Sequence, residues 1–458
     1  MPDLLSTSRL LLSQKMNHVI LLSVPGLRAQ DVANMPHLQQ LVARGEQASF
    51  LPSFPCVTWP VQANLLTGRL PSDHGAVANG FYWRETGEVE MWTAGNDKLA
   101  APQIWDLLHQ QDPDLTSAAW FPMLSKGCGA DFVCMPAPVH NPDGTESLWC
   151  YTQPGDLYGE LLDLLGHFPL QHFWGPLANI KSSAWIAKSA AHAAEKFRPA
   201  FFYLYLPHLD YAAQRTGPDS PDAQKALQEL DDVLGRMQAS FDKAFGSAPL
   251  IWIVASEYEI VPVNHVCYPN RILREAGLLQ VEQREDGEHL DMVQSKAWAL
   301  VDHQFAHVFV RQADQKTVAQ VADLFRNQAG IAEVWLECQR AEYSLQHPRS
   351  GEVTLVSHPE SWQAYYWWFD DARAPAFSRK VDIHRKPGYD PVELHFDPAT
   401  KSIPLDATLV RGSHGAPLSA SHQGIILCSQ KNILGTGPVA DTDVAGIVLR
   451  QFGVSLES

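Results

Sequence analysis

Phe54-Pro55-Cys56-Val57-Thr58-Trp59-Pro60 opens a stretch that runs on through Leu66-Thr67-Gly68. Thr58 stands where a helix N-cap is expected, and Gly68 where a closing glycine follows the last turn. A hydroxyl at a helix start faces unpaired backbone N–H groups and the positive end of the helix dipole. Those groups stabilise an alkoxide and bind phosphate oxygens. A plain structural cap is the simpler use of such a threonine. Downstream, His74-Gly75-Ala76-Val77-Ala78-Asn79 brings an asparagine that could serve a turn or a ligand.

Outward from this stretch, short apolar runs alternate with helical periodicity. Val19–Val24 reads as a buried strand followed at once by Pro25-Gly26. Pro36–Arg44 sets Leu38, Leu41 and Val42 at helical spacing and stops at Gly45. A helix over Ser182–Phe197 leads into the apolar run Phe201–Leu206, and Ser220-Pro221 forms an N-cap and first-turn pair. That pair opens an amphipathic helix carrying Leu227, Leu230, Val233, Leu234, Met237 and Phe241, before the run Leu250–Ala255. Strands apolar on both faces, alternating with helices, predict an α/β three-layer α/β/α sandwich with a mostly parallel central sheet. Ligands in such folds sit beyond the carboxyl ends of the strands. That rule picks out Pro25-Gly26, Phe54–Thr58, Pro207–Gln214, Ser256–Glu259 and Arg411–Gly415.

From 286 to 397 the pattern changes. Ala297–Val310 and Gly351–Val356 read as strands around a helix over Lys316–Asn327, followed by an aromatic, Pro/Gly-rich stretch from Trp362 to Asp397. This predicts a smaller α+β insertion at 286–397 in a core made of 17–285 and 398–458. Tyr365-Tyr366-Trp367-Trp368-Phe369 is expected to pack inside that insertion or to wall a ligand site. Residues 1–16 are expected to be a flexible leader, with Met16 a candidate natural start.

The chain has 458 residues, 45% of them hydrophobic and 19% charged, which permits a sizeable buried core. Its formal charge of −17 argues against nucleic acid or an anionic membrane as the main partner, because both require a basic face. No apolar run approaches the ~20 residues of a membrane span. Seven scattered cysteines with no CxxC pair suggest free thiols rather than a disulfide scaffold or thiolate zinc site. The expected location is cytoplasmic.

A series of motifs follows in order from about residue 18 to residue 430. They are Met35-Pro36-His37-Leu38, Phe54 through Pro60, Thr67-Gly68-Arg69-Leu70-Pro71 and His74-Gly75 through Asn79. Tyr205-Leu206-Pro207-His208-Leu209-Asp210, Thr216-Gly217-Pro218, Asn270 through Leu279 and Gly412-Ser413-His414-Gly415 continue the series. In this order they resemble the nucleotide pyrophosphatase/phosphodiesterase branch of the alkaline phosphatase superfamily. The resemblance implies that Thr58 is a nucleophile, transiently phosphorylated, and that Asn79 holds a non-bridging phosphoryl oxygen. It also implies two zinc ions beside them, supplying the acidity that a threonine hydroxyl lacks near neutral pH.

The chain departs from that pattern at the metal ligands. Pro25 stands where the family has the aspartate of its first Asp-Gly pair. Asp210 is kept, but a ligand histidine becomes Gln214. Glu257 replaces an aspartate and Tyr258 the histidine after it, while His414 is kept. Asp210, His414 and Glu257 are therefore the expected metal ligands, with one divalent ion, zinc above all, expected in preference to two, or none. Gln214, His208, His303, His307, Asp382, His384 and Lys386 are candidate substitute ligands or phosphate contacts. His208 lies two residues before Asp210, which puts both on one face of an extended segment. His265 and His422 are weaker candidates. The implied function is a metal-dependent phosphoric ester hydrolase acting on a small-molecule phosphoester. The alternatives are a catalytically inactive pseudoenzyme that binds a phosphorylated metabolite or a partner protein, and a phosphomutase or transferase on the same scaffold. The oligomeric state is open.

Overall fold

The computed structural model describes residues 17–456 except 94, 141–145 and 418–422. The expected leader at 1–16 and His422 lie outside the described residues. The chain opens with β1 (His18–Ser23), α1 (Pro36–Arg44), β2 (Glu46–Leu51) and α2 (Thr58–Thr67). It continues with β3 (Ser117–Trp120), β4 (Phe132–Pro136), β5 (Cys150–Gln153), α3 (Ile180–Phe197) and β6 (Phe201–Tyr205). Next come α4 (His208–Thr216), α5 (Pro221–Phe245) and β7 (Leu250–Ala255).

A second layer system follows: β8 (Ala297–Asp302), β9 (Phe305–Val310), α6 (Gln315–Phe325), β10 (Ile331–Trp335) and β11 (Val353–Ser357). The chain then returns to the main sheet with β12 (Gly424–Cys428) and β13 (Val439–Ala440), and α7 (Asp443–Arg450) closes the described chain.

Among the described residues the main sheet has nine strands in the order β13-β2-β12-β7-β1-β6-β3-β4-β5. Its centre is parallel: β1 pairs with β6 and β7, β6 with β3, and β3 with β4. Strand β12 runs antiparallel to both β7 and β2, and β5 to β4. Alternation along β1 explains the layers. Ile20 and Leu22 point into one core with residues of α1, α3 and α5. Val19 and Leu21 point into another with residues of α2 and α7. All six residues of β1 are buried, as a strand covered on both faces requires.

The second unit is the antiparallel sheet β8-β9-β11-β10 with α6 packed on it. Its core takes in Trp362 and the aromatic run Tyr365 to Trp368, so that run is packing; only Phe369 beside it is exposed. The same core reaches back to Val263 and Cys267 and forward to Val410, with Met91 added. This apolar core runs past residues 286 and 397, taking in Cys267 of a short strand, Leu273 of the helix Pro269–Glu275 and Met91 of the strand Glu88–Met91.

Candidate active site

The neighbouring parallel strands β6, β1 and β7 all end at one edge of the sheet, and the residues that follow them converge there. Helix α2 starts beside this edge, with all ten of its residues buried, and Gly68 at φ 64° closes it. Thr58 is the first helical residue, not the cap. Val57 (φ −133°, ψ 163°) holds the capping position and makes no side-chain cap bond. The backbone N–H of Trp59 instead donates to Asn79 Oδ1 at 2.9 Å. An amide from a later segment takes over the capping, so the Thr58 hydroxyl is released from it.

Asp302, at the end of β8, holds Asn79 in place. It accepts from the Asn79 backbone N–H at 2.7 Å and from Asn79 Nδ2 at 3.1 Å. Burial pushes the Asp302 carboxyl up to about 6, against the opposing pull of these donors. The asparagine expected to hold a phosphoryl oxygen therefore has its carbonyl committed to the helix start and one N–H to Asp302.

Two buried carboxyls flank Thr58 on the other side. Glu257, just after β7, accepts at Oε1 from Ser23 Oγ and Gln62 Nε2, both at 2.6 Å. The Thr58 hydroxyl lies beside Glu257 and beside the phenol of Tyr205. Burial pushes the Glu257 carboxyl up to about 8 and that of Asp210 up to about 7. In each case hydrogen-bond donors pull partly the other way. Asp210 accepts from Gln214 Nε2 at 2.7 Å, and the Tyr258 hydroxyl lies 3.4 Å from its Oδ1. The same hydroxyl is 3.2 Å from Thr58 Oγ1. Thr58, Tyr258 and Asp210 thus form a continuous chain of oxygens.

His414 turns its Nδ1–H to the carbonyl of Cys56 at 2.8 Å, leaving the Nε2 lone pair 4.0 Å from Asp210 Oδ1. Burial holds its imidazole well below the ordinary histidine range, with His303 adding to the effect. The His414 ring stacks on Tyr258 on one side and meets His303 on the other; His303 in turn stacks on Tyr389.

Thr58, Asp210, Glu257 and His414 therefore meet, and among the substitutes Gln214 and His303 join them. The others do not. Strand β6 ends at Tyr205 and Pro207 takes the cap position of α4, so His208 begins that helix instead of continuing an extended segment. On a helix, positions i and i+2 diverge while i and i+4 share a face. Gln214 accordingly meets Asp210, whereas His208 Nε2 turns to Glu229 at 3.0 Å. His307 Nε2 is bonded to the Val77 carbonyl at 3.1 Å. His384 Nδ1 pairs with the Met91 carbonyl at 3.1 Å, and Asp382 accepts from Arg385. Lys386 is no phosphate contact, because its ammonium is buried against Asp390 at 2.7 Å and Glu393 at 2.6 Å. His265 pairs with Ser361.

Sequence reasoning passed over Tyr205, Gln62 and Tyr389 and did not give Asp302 its part.

Zinc takes about three or four N, O or S donors at roughly 2.0–2.3 Å. Among the described residues no group of three or more His, Cys, Asp or Glu side chains could hold a metal ion. Asp210 and His414 offer two donors. Glu257 Oε1 is occupied by Ser23 and Gln62, while Glu257 Oε2 and His414 Nε2 are buried without a hydrogen-bond partner, a donor set too small for two ions; the Tyr258 hydroxyl lies within 3.2–3.4 Å of both Thr58 and Asp210. The residues present do not fit the implied metal pair.

A family model described as type I phosphodiesterase / nucleotide pyrophosphatase matches residues 19–390. The chain belongs to this family. Among curated sequences, an uncharacterized pyrophosphatase/phosphodiesterase of Schizosaccharomyces pombe is 26% identical over 54% of this chain and 45% of its own length. The bis(5'-adenosyl)-triphosphatase of Bos taurus is 26% identical over 48% of this chain and 42% of its own. The match takes in less than half of either relative. Two solved structures share the phosphodiesterase fold. Phosphonoacetate hydrolase from Sinorhizobium meliloti has a TM-score of 0.63 at 16% identity, covering 95% of this chain and 96% of that one. Murine ectonucleotide pyrophosphatase / phosphodiesterase 5 has a TM-score of 0.61 at 14% identity, covering 96% of each chain.

Proposed function

We propose that this chain is a phosphoric ester hydrolase of the phosphodiesterase and nucleotide pyrophosphatase type, acting on a small-molecule phosphoester through Thr58. The observation that carries the proposal is the released hydroxyl. Thr58 sits at the start of α2 with its capping duty taken by Asn79, beside Glu257 and one phenol away from Asp210. A hydroxyl is a weak nucleophile until a base removes its proton, and a buried carboxyl raised to about 7 or 8 is such a base in the fraction of molecules where it is ionised.

The proposed step runs through this chain's own groups. Thr58 Oγ1 forms a bond to phosphorus as the bond from phosphorus to the leaving oxygen breaks. The hydroxyl proton passes to Glu257, or through Tyr258 to Asp210, and from there to the departing oxygen. Water then splits the phosphothreonine and returns the free hydroxyl, so one water is consumed per turnover. In the first turn of α2 Trp59 gives its N–H to Asn79, Pro60 has none and Val61 bonds the Val57 carbonyl, so the Thr58 N–H and the helix dipole are left to oppose the charge that builds on the phosphoryl oxygens. A reducing, cytoplasmic setting is part of the proposal, supported by seven free thiols, six of them buried.

A second reading, an inactive pseudoenzyme whose partner is a protein and not a small molecule, is favoured by one feature. Among the described residues the cavity at Tyr258 and His414, edged by Cys56, Gln304 and Gly415, measures about 50 Å³. Pockets that hold small-molecule ligands run to roughly 300–1,000 Å³.

One assay decides between them. Purified protein is given bis-(p-nitrophenyl) phosphate with EDTA, and separately with zinc or manganese, and the quenched protein is weighed for phosphothreonine. Turnover in EDTA that Thr58→Ala abolishes, together with a phosphorylated Thr58 peptide, supports the hydrolase. Absence of turnover and adduct under all three conditions leaves the binder.

A further inference from the structure

Where the resemblance called for metal ligands, this chain has built a column of rings. Tyr389 lies on His303 with centroids 3.6 Å apart and planes 18° apart. His303 meets His414 at 3.9 Å and 42°, and His414 lies on Tyr258 at 3.5 Å and 6°. At such separations the rings are in van der Waals contact, and an ion with its coordination shell does not fit between them.

Both ends of the column are fastened by hydroxyls to the same carboxylate. The Tyr389 hydroxyl donates to Gln214 Oε1 at 2.8 Å, and Gln214 Nε2 donates to Asp210 Oδ2 at 2.7 Å. At the other end the Tyr258 hydroxyl lies 3.4 Å from Asp210 Oδ1. Asp210 is thus served at each oxygen by a neutral donor. Its interior is fastened as well: His303 Nδ1 pairs with Asp302 Oδ1 at 2.6 Å and His414 Nδ1 with the Cys56 carbonyl. Behind Tyr389, buried Lys386 grips Asp390 and Glu393 on the same short segment.

We infer that this ring column stands in for the metal pair: the Thr58 pocket is assembled without a divalent cation, and Tyr258 and Gln214 are the side chains that replace it. The inference goes beyond the hydrolase reading, since it concerns what builds the pocket and not whether Thr58 turns over.

The test is metal content, not activity. The full chain is dialysed against EDTA, then against buffered zinc or manganese, and its bound metal is measured by elemental analysis alongside thermal melting. The wild type is expected to hold under about a tenth of an equivalent and to melt at the same temperature with or without metal, because an ion that binds the folded state raises the melting point. The double variant Gln214→His with Tyr258→His places imidazoles on either side of Asp210. It is expected to take up about one equivalent of zinc and to melt higher when zinc is added, since four donors become available.

Wild-type protein that binds an equivalent or more, lost in His414→Ala, would overturn the inference while leaving the hydrolase reading standing. A folded double variant that still takes no zinc would overturn the assignment to these two side chains. Should the double variant not fold, the wild-type metal content decides alone.

Discussion

On one flank of Thr58 the structure is made of amides, carboxylates and backbone. Asn79 caps α2, Asp302 holds Asn79, and His74 bridges Asn64 of α2 to the backbone of Ala76. On the other flank the same task falls to four rings, two stacked pairs that meet at a tilt between His303 and His414, tied by the tyrosine hydroxyls to Asp210 directly and through Gln214. The amide flank keeps every residue that the resemblance called for; the ring flank lost three, at Pro25, Gln214 and Tyr258. The contrast teaches that nucleophile and metal site are separable. A helix start can be preserved by short-range hydrogen bonds while the cation side is rebuilt from uncharged groups.

Breaking the amide flank should cost most. Asp302→Ala strips partners from the Asn79 N–H, Asn79 Nδ2 and His303 Nδ1 at once, all buried. At ~1–3 kcal/mol for each orphaned group, urea unfolding should show a loss of about 4 kcal/mol. A loss below that of a typical surface substitution would mean that Asp302 does not organise the flank.

The support behind the ring flank comes next. Lys386→Met leaves Asp390 and Glu393 buried without their cation, which should cost about 3 kcal/mol at neutral pH. The loss should depend on pH. Burial already raises the Glu393 carboxyl even with the lysine present. A carboxyl raised in the folded state contributes stability at low pH that is lost as pH rises through the folded value. The variant's deficit should therefore shrink at pH 5 and widen at pH 8, read from denaturant midpoints.

His74 gives a smaller effect with a different pH signature. Its buried ring is pushed down to about 3, chiefly by burial, from an ordinary value of 6.5. The folded state stays neutral while the unfolded chain takes up a proton, so stability falls as pH drops below that ordinary value. Between pH 7 and pH 5 the wild type should lose about 2 kcal/mol that His74→Gln does not.

The mildest change is Tyr258→Phe, which keeps the stack but deletes the hydroxyl between Thr58 and Asp210. A loss of about 1 kcal/mol is expected, with the near-ultraviolet circular dichroism of the rings retained. If that spectrum collapses, the hydroxyl and not the stacking holds the column.

The frame was largely legible in the residues. Helix α1 spans Pro36–Arg44 as its period and Gly45 require, Ser220 caps α5 through its hydroxyl, and Gly68 closes α2. These depend on neighbours within one turn. Thr58 was misjudged as the cap because its substitute, Asn79, arrives from outside the helix. His208 was misjudged because the segment after Pro207 is helix α4 and not extended chain. The ring column could not be read, since Tyr258, His303, Tyr389 and His414 are brought together only by packing. Metal-ligand spacing carries a recognisable pattern, and stacked rings from four separate loops carry none.

Lys386 has one more consequence. Its side chain is 1% exposed and both its anions are as deeply enclosed. An amine-reactive label will pass over this lysine while it marks those on the surface, and will reach it only in molecules that have opened. The rate at which Lys386 is tagged would then serve as a built-in clock for opening, readable from a single peptide.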